Sequence, residues 1–324
     1  MLPRQGSDMH TLYPEITPRQ HWMLPVGDGH ELYVEEMGNP EGLPVLVLHG
    51  GPGAGCSADS RRFFDPQCYR IVCFDQRGAG RSRPHGALSS NTTAHLLGDI
   101  DQILAHLAIR RVVLFGGSWG ATLALLYAIE HPTTVLGCVL RGTFLGRPQD
   151  IDWLYRGGAA EVYPKAWLDF LAPLHPEEAA DPVAGYTRLF SEETPFVRYQ
   201  AARAWNLWET RLAIRNPDLG SITDGSPRHD VAFATIEHHY VAHQCFLAPN
   251  TILDGISATT RIPMELVHGV EDHVCPLDGA RQLHRSLGDA RLTMIADGGH
   301  SSRHPAMTSA LVEATRLMAT RYGH

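Results

Sequence analysis

Lysine is almost missing from this chain of 324 residues: Lys165 is the one lysine among 27 basic residues. That scarcity removes two mechanisms. No G-K-[ST] phosphate loop can be written, and a Schiff-base lysine would have to be Lys165, which follows Pro164 in a polar stretch. Long apolar runs are also missing. No window approaches ~18 uninterrupted apolar residues, so neither a membrane span nor a membrane partner is expected. The stretch Met1–Glu15 is polar and lacks the apolar heart of an export signal, and the expected compartment is the cytoplasm. Six cysteines (56, 68, 73, 138, 245 and 275) form no C-x-x-C pair and read as reduced thiols. Positive charge is in deficit. A net charge of −8 repels phosphate backbones and argues against nucleic acid as a partner.

What is present is ordinary for a folded globular protein, with 44% hydrophobic and 19% charged residues. At roughly 100–200 residues per domain, the length fits one large domain or two modest ones. The first half alternates short apolar runs with helical patterns, as an α/β domain with a mostly parallel sheet should. Strands are expected at Val45–Leu48, Arg70–Phe74, Val112–Phe115 and Val135–Leu140, and helices at about Thr92–Ala108 and Ser118–His131. The pattern resumes with strands Met264–Val267 and Arg291–Ile295 and helices Asp278–Leu287 and Ala306–Arg321. Between about Leu145 and Phe246 no strand-like run occurs. Helical spacing is visible at Ala201–Leu212 and Val231–Phe246, so a helical insertion is expected. Residues 145–245 hold 14 acidic and 9 basic side chains, so most of the net charge sits there. For most of these carboxylates a solvated face is the expected setting.

Residues 116–120 read G-G-S-W-G, after an apolar strand and before an apolar helix. A bare G-x-S-x-G match is weak, but this strand–turn–helix setting is what a nucleophile elbow requires. Ser118 is the candidate nucleophile. The partners should follow as an acid, then a histidine. Asp272 follows one late strand by a short turn, with Glu271 as its competitor, and His300 follows the next strand in a glycine-rich loop. All three would lie at the carboxyl edge of a parallel sheet, where ligands bind. The H-G-G-P-G loop at 49–53 can supply an oxyanion donor from Gly51 (or Gly50), with the N–H of Trp119 as the second. His239 and His243 are spaced as an i, i+4 zinc pair, but no third ligand is implied, and neither metal nor cofactor is expected.

These segments together resemble the proline iminopeptidase (prolyl aminopeptidase) family of α/β-hydrolases. The resemblance rests on H-G-G-P-G, F-D-Q-R-G-A-G-R-S at 74–82, N-T-T at 91–93, G-G-S-W-G and L-R-G-T-F at 140–144. It continues through W-E at 208–209, I-E-H-H-Y at 236–240, H-G-V-E-D-H-V-C-P at 268–276 and G-G-H-S around His300. It implies an α/β-hydrolase catalytic domain from 1–144 and 247–324 and a helical cap over 145–246. It implies a serine aminopeptidase that releases N-terminal proline from small peptides through an acyl-enzyme, with Ser118, Asp272 and His300 as the triad. Glu209 and Glu237 would hold the substrate's amino group, and Phe144 and Cys275 would lie near the proline ring. On a helix, Trp205, Trp208 and Glu209 share a face, so Trp208 is expected as an apolar wall beside a carboxylate. Val270, Glu271, Leu154 and His304 depart from the family's usual residues; Tyr155 adjoins Leu154. The alternatives are an esterase or amidase with an altered pocket and a hydrolase-fold binding protein.

Overall fold

The computed structural model describes residues 9–214 and 226–323. Eight strands form one sheet. They are β1 (Gln20–Gly27), β2 (His30–Gly38), β3 (Leu43–Leu48), β4 (Tyr69–Phe74), β5 (Val112–Gly117), β6 (Val135–Arg141), β7 (Met264–Gly269) and β8 (Ala290–Ile295). The order across the sheet is β1-β2-β4-β3-β5-β6-β7-β8. From β4 to β8 every pairing is parallel. The β1–β2 hairpin joins β4 antiparallel.

That hairpin is the part of the sheet the sequence reading did not anticipate. β2 reads H-E-L-Y-V-E-E-M-G, and its glutamates break the apolar run by which the other strands are visible. The structure resolves the conflict with charge pairing. Glu36 is 1% exposed and accepts hydrogen bonds from Arg70 on β4, one at 2.6 Å, and from Arg19. A carboxylate buried in this way persists only with such partners.

The central strands are covered on both faces, and their side chains alternate between them. Leu46 and Leu48 of β3 join one apolar cluster with Leu114, Ile100 and Leu123. Val45 and Val47 join the other with Ile71, Phe115, Leu311 and Met318. On the first side lie α1 (Thr93–His106) and α2 (Trp119–Glu130); on the second lies α10 (Pro305–Tyr322). Helix α2 is buried from Trp119 to Ala128, which explains why its sequence is apolar on every side.

Between β6 and β7 the described chain is helical: α3 (Pro148–Tyr155), α4 (Pro164–Leu171), α5 (Pro182–Ser191), α6 (Pro195–Ala213), α7 (Pro227–Ala242) and the short α8 (Thr251–Gly255). Each of α3 to α7 begins with proline, which lacks the N–H that would be unpaired there. Their aromatic side chains pack together. Phe170 meets Tyr186, Trp205 and Trp208 within 4.8–5.7 Å, centroid to centroid. Helix α9 (Leu277–Ser286) follows β7. No described helix is long and apolar enough to cross a membrane.

Candidate active site

The turn between β5 and α2 is held in a conformation that side chains rarely adopt. Ser118 has φ 56° and ψ −122°. Non-glycine backbone in such a region costs about 1–3 kcal/mol and survives where its surroundings dictate it. Here they do. A Cβ on Gly120 would stand 2.0 Å from the carbonyl oxygen of Leu48, and one on Gly116 would stand 2.2 Å from that of Gly120. The glycines flanking Ser118 are thus demanded by the close approach of β3, β5 and α2. The Ser118 N–H donates to the Arg141 carbonyl at 2.9 Å, which ties the turn to β6.

Asp272 and His300 sit on the turns after β7 and β8. His300 Nδ1 lies 2.8 Å from Asp272 Oδ2. The other oxygen, Asp272 Oδ1, accepts the backbone N–H groups of Val274 at 3.0 Å and Cys275 at 2.8 Å. Burial pushes the Asp272 carboxyl up, but His300, His268 and the Cys275 N–H outweigh it and hold the group below its ordinary value. Burial also dominates at His300 and lowers it, against the pull of Asp272, so the imidazole is neutral near pH 7. Glu271 sends its backbone N–H to the Gly298 carbonyl at 2.9 Å; Asp272 is the carboxylate that meets the imidazole. Arg141 Nη1 donates to the His300 carbonyl at 2.8 Å and anchors that loop.

A cavity of about 330 Å³ opens where these turns meet the helices. From the sheet side it is lined by Gly50, Gly51, Ser118, Phe144, Cys275 and His300, and from the helices by Leu154, Tyr155, Glu209, Phe233 and Glu237. The Ser118 hydroxyl interacts with the Cys275 thiol, whose pKa burial raises strongly. The H-G-G-P-G loop is braced from beneath. Gln76 donates from its backbone to His49 Nε2 and from its amide to the His49 carbonyl, both at 2.9 Å, and accepts the Trp119 indole N–H at 3.1 Å. One residue of F-D-Q-R-G-A-G-R-S therefore links the glycine loop to the elbow. Asp75, its neighbour, is buried against Arg81 at 2.7 Å.

The helical side of the cavity holds two carboxylates. Glu237 is 3% exposed and Glu209 half-buried, and they hydrogen-bond one another. Trp205 Nε1 donates to Glu237 Oε2 at 2.8 Å, and the Tyr155 hydroxyl donates to Glu209 Oε1. Burial raises both groups. Glu237 is raised well above its ordinary value because the charge of Glu209 adds to its desolvation. Both carboxyls therefore keep their protons to higher pH than an ordinary glutamate, Glu237 the more so. The pair is a buried acidic site whose hydrogen-bond donors, Trp205 and Tyr155, are neutral.

Four of the residues considered lie apart from the cavity. Trp208 stands behind it, its indole N–H on the Leu154 carbonyl at 2.9 Å and its ring against Phe170; the expected apolar wall is built by Phe144, Phe233 and Tyr155 instead. The face shared by Trp205, Trp208 and Glu209 is real, but the tryptophans on it point into the aromatic core. His304 precedes α10 and lies 3.7 Å from Asp297. His239 and His243 are each engaged by a main-chain carbonyl, of Asn91 and His239 respectively. Conversely, Arg141, Trp205, Tyr155, Phe233 and Gln76 reach the site or brace it without having been singled out for those roles. Their contacts are long-range in sequence, and only the L-R-G-T-F and F-D-Q-R motifs hinted at two of them.

A serine on a strained strand–helix turn, beside an Asp–His pair at the same sheet edge, defines a class. Residues 44–303 match the family model described as the alpha/beta hydrolase fold, and the chain belongs to that family. Within it the chain belongs with the proline iminopeptidases. It is 45% identical over 309 residues to the proline iminopeptidase of Xylella fastidiosa (strain 9a5c), covering 95% of this chain and 99% of that one. It is 43% identical to the Arabidopsis thaliana proline iminopeptidase over 97% of this chain and 83% of the other. Among solved structures, a proline iminopeptidase-related protein from Thermus thermophilus matches with a TM-score of 0.63 over 93% of this chain and 97% of that one. At 23% identity that likeness speaks to the fold.

Proposed function

We propose that this protein is a serine aminopeptidase that releases N-terminal proline from peptides. The observation that carries the reading is the carboxylate pair Glu209–Glu237 in the same cavity as Ser118 and His300. An N-terminal prolyl residue is a ring ammonium at neutral pH. A partly desolvated cation needs paired carboxylates, and a buried carboxylate pair needs a cation. The 38–45% identity with curated proline iminopeptidases supports the same substrate.

In this reading the ionised glutamates hold the ammonium, which seats the prolyl carbonyl over Ser118. Phe144 and Cys275 flank the ring. His300 takes the hydroxyl proton as Ser118 attacks, and Asp272 fixes the imidazole tautomer and stabilises the imidazolium. Ser118 and His300 line the same cavity, and in this reading the imidazole and the hydroxyl come within hydrogen-bond reach in the substrate complex. The Trp119 N–H, unpaired in the first turn of α2, and that of Gly51 (or Gly50) receive the oxyanion. His300 then protonates the leaving amine, and water attacks the acyl-enzyme. The helices α3 to α7 act as the cap that closes the ammonium end.

The test is cleavage of a proline arylamide by purified protein, with Ser118→Ala as control and labelling by a fluorophosphonate. Loss of both turnover and label in the variant is expected. Full turnover by Ser118→Ala would end the proposal. A protein that cleaves neutral acyl esters and leaves proline arylamides untouched would instead be the esterase alternative.

A further inference from the structure

Arg141 is the last residue of β6, and it touches both ends of the proposed proton relay. Its carbonyl accepts the Ser118 N–H at 2.9 Å, and its Nη1 donates to the His300 carbonyl at 2.8 Å. The elbow makes room for the side chain. A Cβ on Gly117 would stand 2.4 Å from Nη2 and 2.8 Å from Cζ, so the guanidinium lies against bare backbone beside the nucleophile. The following residue makes room for the base: a Cβ on Gly142 would stand 2.9 Å from both Cε1 and Nδ1 of His300.

The guanidinium also supplies the permanent positive charge beside that ring. It lines the cavity, and among the described residues no carboxylate forms an ion pair with it. Asp272 attracts it, yet Asp272 turns its oxygens to His300 and to two backbone N–H groups. Desolvation of an unpaired cation works against the fold. The other groups around the ring bring no competing charge of this sign. His268 accepts the Thr143 N–H at Nδ1 and donates from Nε2 to the Cys275 carbonyl, which fixes it as a neutral tautomer. Burial keeps the Cys275 thiol protonated. On the His300 loop itself, Arg303 and His304 face Asp59 and Asp297, and across the cavity stand the two glutamates. A guanidinium so placed opposes a second positive charge on the imidazole and, with burial, lowers it.

We propose that Arg141 is a positioning residue of the relay: it spans from the turn of the nucleophile to the loop of the base and fixes their separation, and its charge keeps the imidazole unprotonated and ready to accept. Asp272, at the Nδ1 of the same ring, stabilises the imidazolium once the proton arrives. Arg141 acts through Ser118 and His300 and needs no contact with substrate. The inference rests on the proposed reading of Ser118, Asp272 and His300 as the reacting groups, and it holds whichever acyl group they transfer.

The experiment measures kcat/KM on a neutral acyl ester across pH for wild type, Arg141→Gln, Arg141→Lys and Gly117→Ala, each checked by circular dichroism and by fluorophosphonate labelling. An ester leaves the glutamate pair out of the readout. Arg141→Gln removes the charge. Its plateau should fall by about tenfold, the scale of one hydrogen bond. Its acid limb should move up by about one pH unit, because the imidazolium is no longer opposed and holds its proton longer. Arg141→Lys keeps the charge and should return the limb toward its wild-type position, while the plateau stays low for want of the planar fork. Gly117→Ala keeps the arginine and pushes its guanidinium off the elbow, so the limb should move the same way by less; it carries the readout where Arg141→Gln does not fold. An unmoved limb in the glutamine and alanine variants, whatever their plateaus, would make Arg141 a packing residue and overturn the inference. Failure of all three variants to fold would do the same. Wild-type protein that a fluorophosphonate does not label would overturn the reading of the triad itself, a result distinct from any difference among the variants.

Discussion

Replacing Glu237 by glutamine tests the ammonium site most sharply. The side chain keeps its shape and loses its charge. Trp205 Nε1 faces Glu237 Oε2 at 2.8 Å, so the glutamine amide must turn its oxygen to the indole. Its NH₂ group then faces the cavity, where an acceptor stood. One charge-assisted hydrogen bond, worth about 1.5–3 kcal/mol, is lost, which is roughly a 10- to 150-fold reduction in kcat/KM. The inward-facing donor repels the ammonium and places the effect at the upper end, about 10²-fold or more. A neutral acyl ester makes no use of the charge, and its turnover should change by no more than a few-fold. The assay is kcat/KM for a proline arylamide and for an acyl ester on the same preparations. Equal loss on both would mean that Glu237 supports the fold, and the ammonium site would have to be sought elsewhere.

The remaining expectations follow from the same geometry. The acid limb of kcat/KM for a proline arylamide should lie at higher pH than that for a neutral ester, because the raised glutamate pair must lose its proton before the cation binds, whereas His300 is lowered and serves as base to lower pH; coincident limbs would refute this. Glu237 keeps its proton to higher pH folded than unfolded, so the folded state binds more protons above the ordinary glutamate range and stability falls as pH rises through that window. Thermal unfolding of Glu237→Gln should lack that loss, its Tm gaining on wild type as pH rises; a constant Tm difference would contradict it. Asp272→Asn should lower kcat by roughly 10⁴-fold while leaving the protein folded by circular dichroism, since the imidazole loses the carboxylate 2.8 Å from its Nδ1. Gly120→Ala should abolish soluble folded protein, because the added methyl meets the Leu48 carbonyl at 2.0 Å; a folded variant with a normal Tm would mean the elbow is less tightly packed than described.

Some of this was legible in the linear chain because it depends on local chemistry. Near-continuous apolar runs mark strands covered on both faces, and six such runs became β3 to β8. The β1–β2 hairpin escaped because Glu35 and Glu36 are tolerable inside a sheet only opposite arginines that lie far away in sequence. The glycines around Ser118 could be read as a turn, yet their necessity comes from the Leu48 carbonyl, which belongs to another strand. Helical spacing put Trp208 and Glu209 on one face correctly and could not say which of the two meets the cavity. The aromatic packing of α4 against Trp208 decided that.

The sequence by itself determined the order of the six strands β3 to β8 and the strand–turn–helix that presents Ser118. It also offered Asp272 and His300, each after a later strand, as partners for that hydroxyl. Periodicity and glycine placement are properties of neighbouring residues, so they survive without coordinates. Only the tertiary structure decided that Asp272 meets His300, that Gln76 ties the glycine loop to the elbow, and that Tyr155 and Trp205 each claim one oxygen of a buried glutamate pair. Those facts depend on distances between segments tens to hundreds of residues apart, and on how far each group is removed from water. Neither quantity exists until the chain has closed on itself.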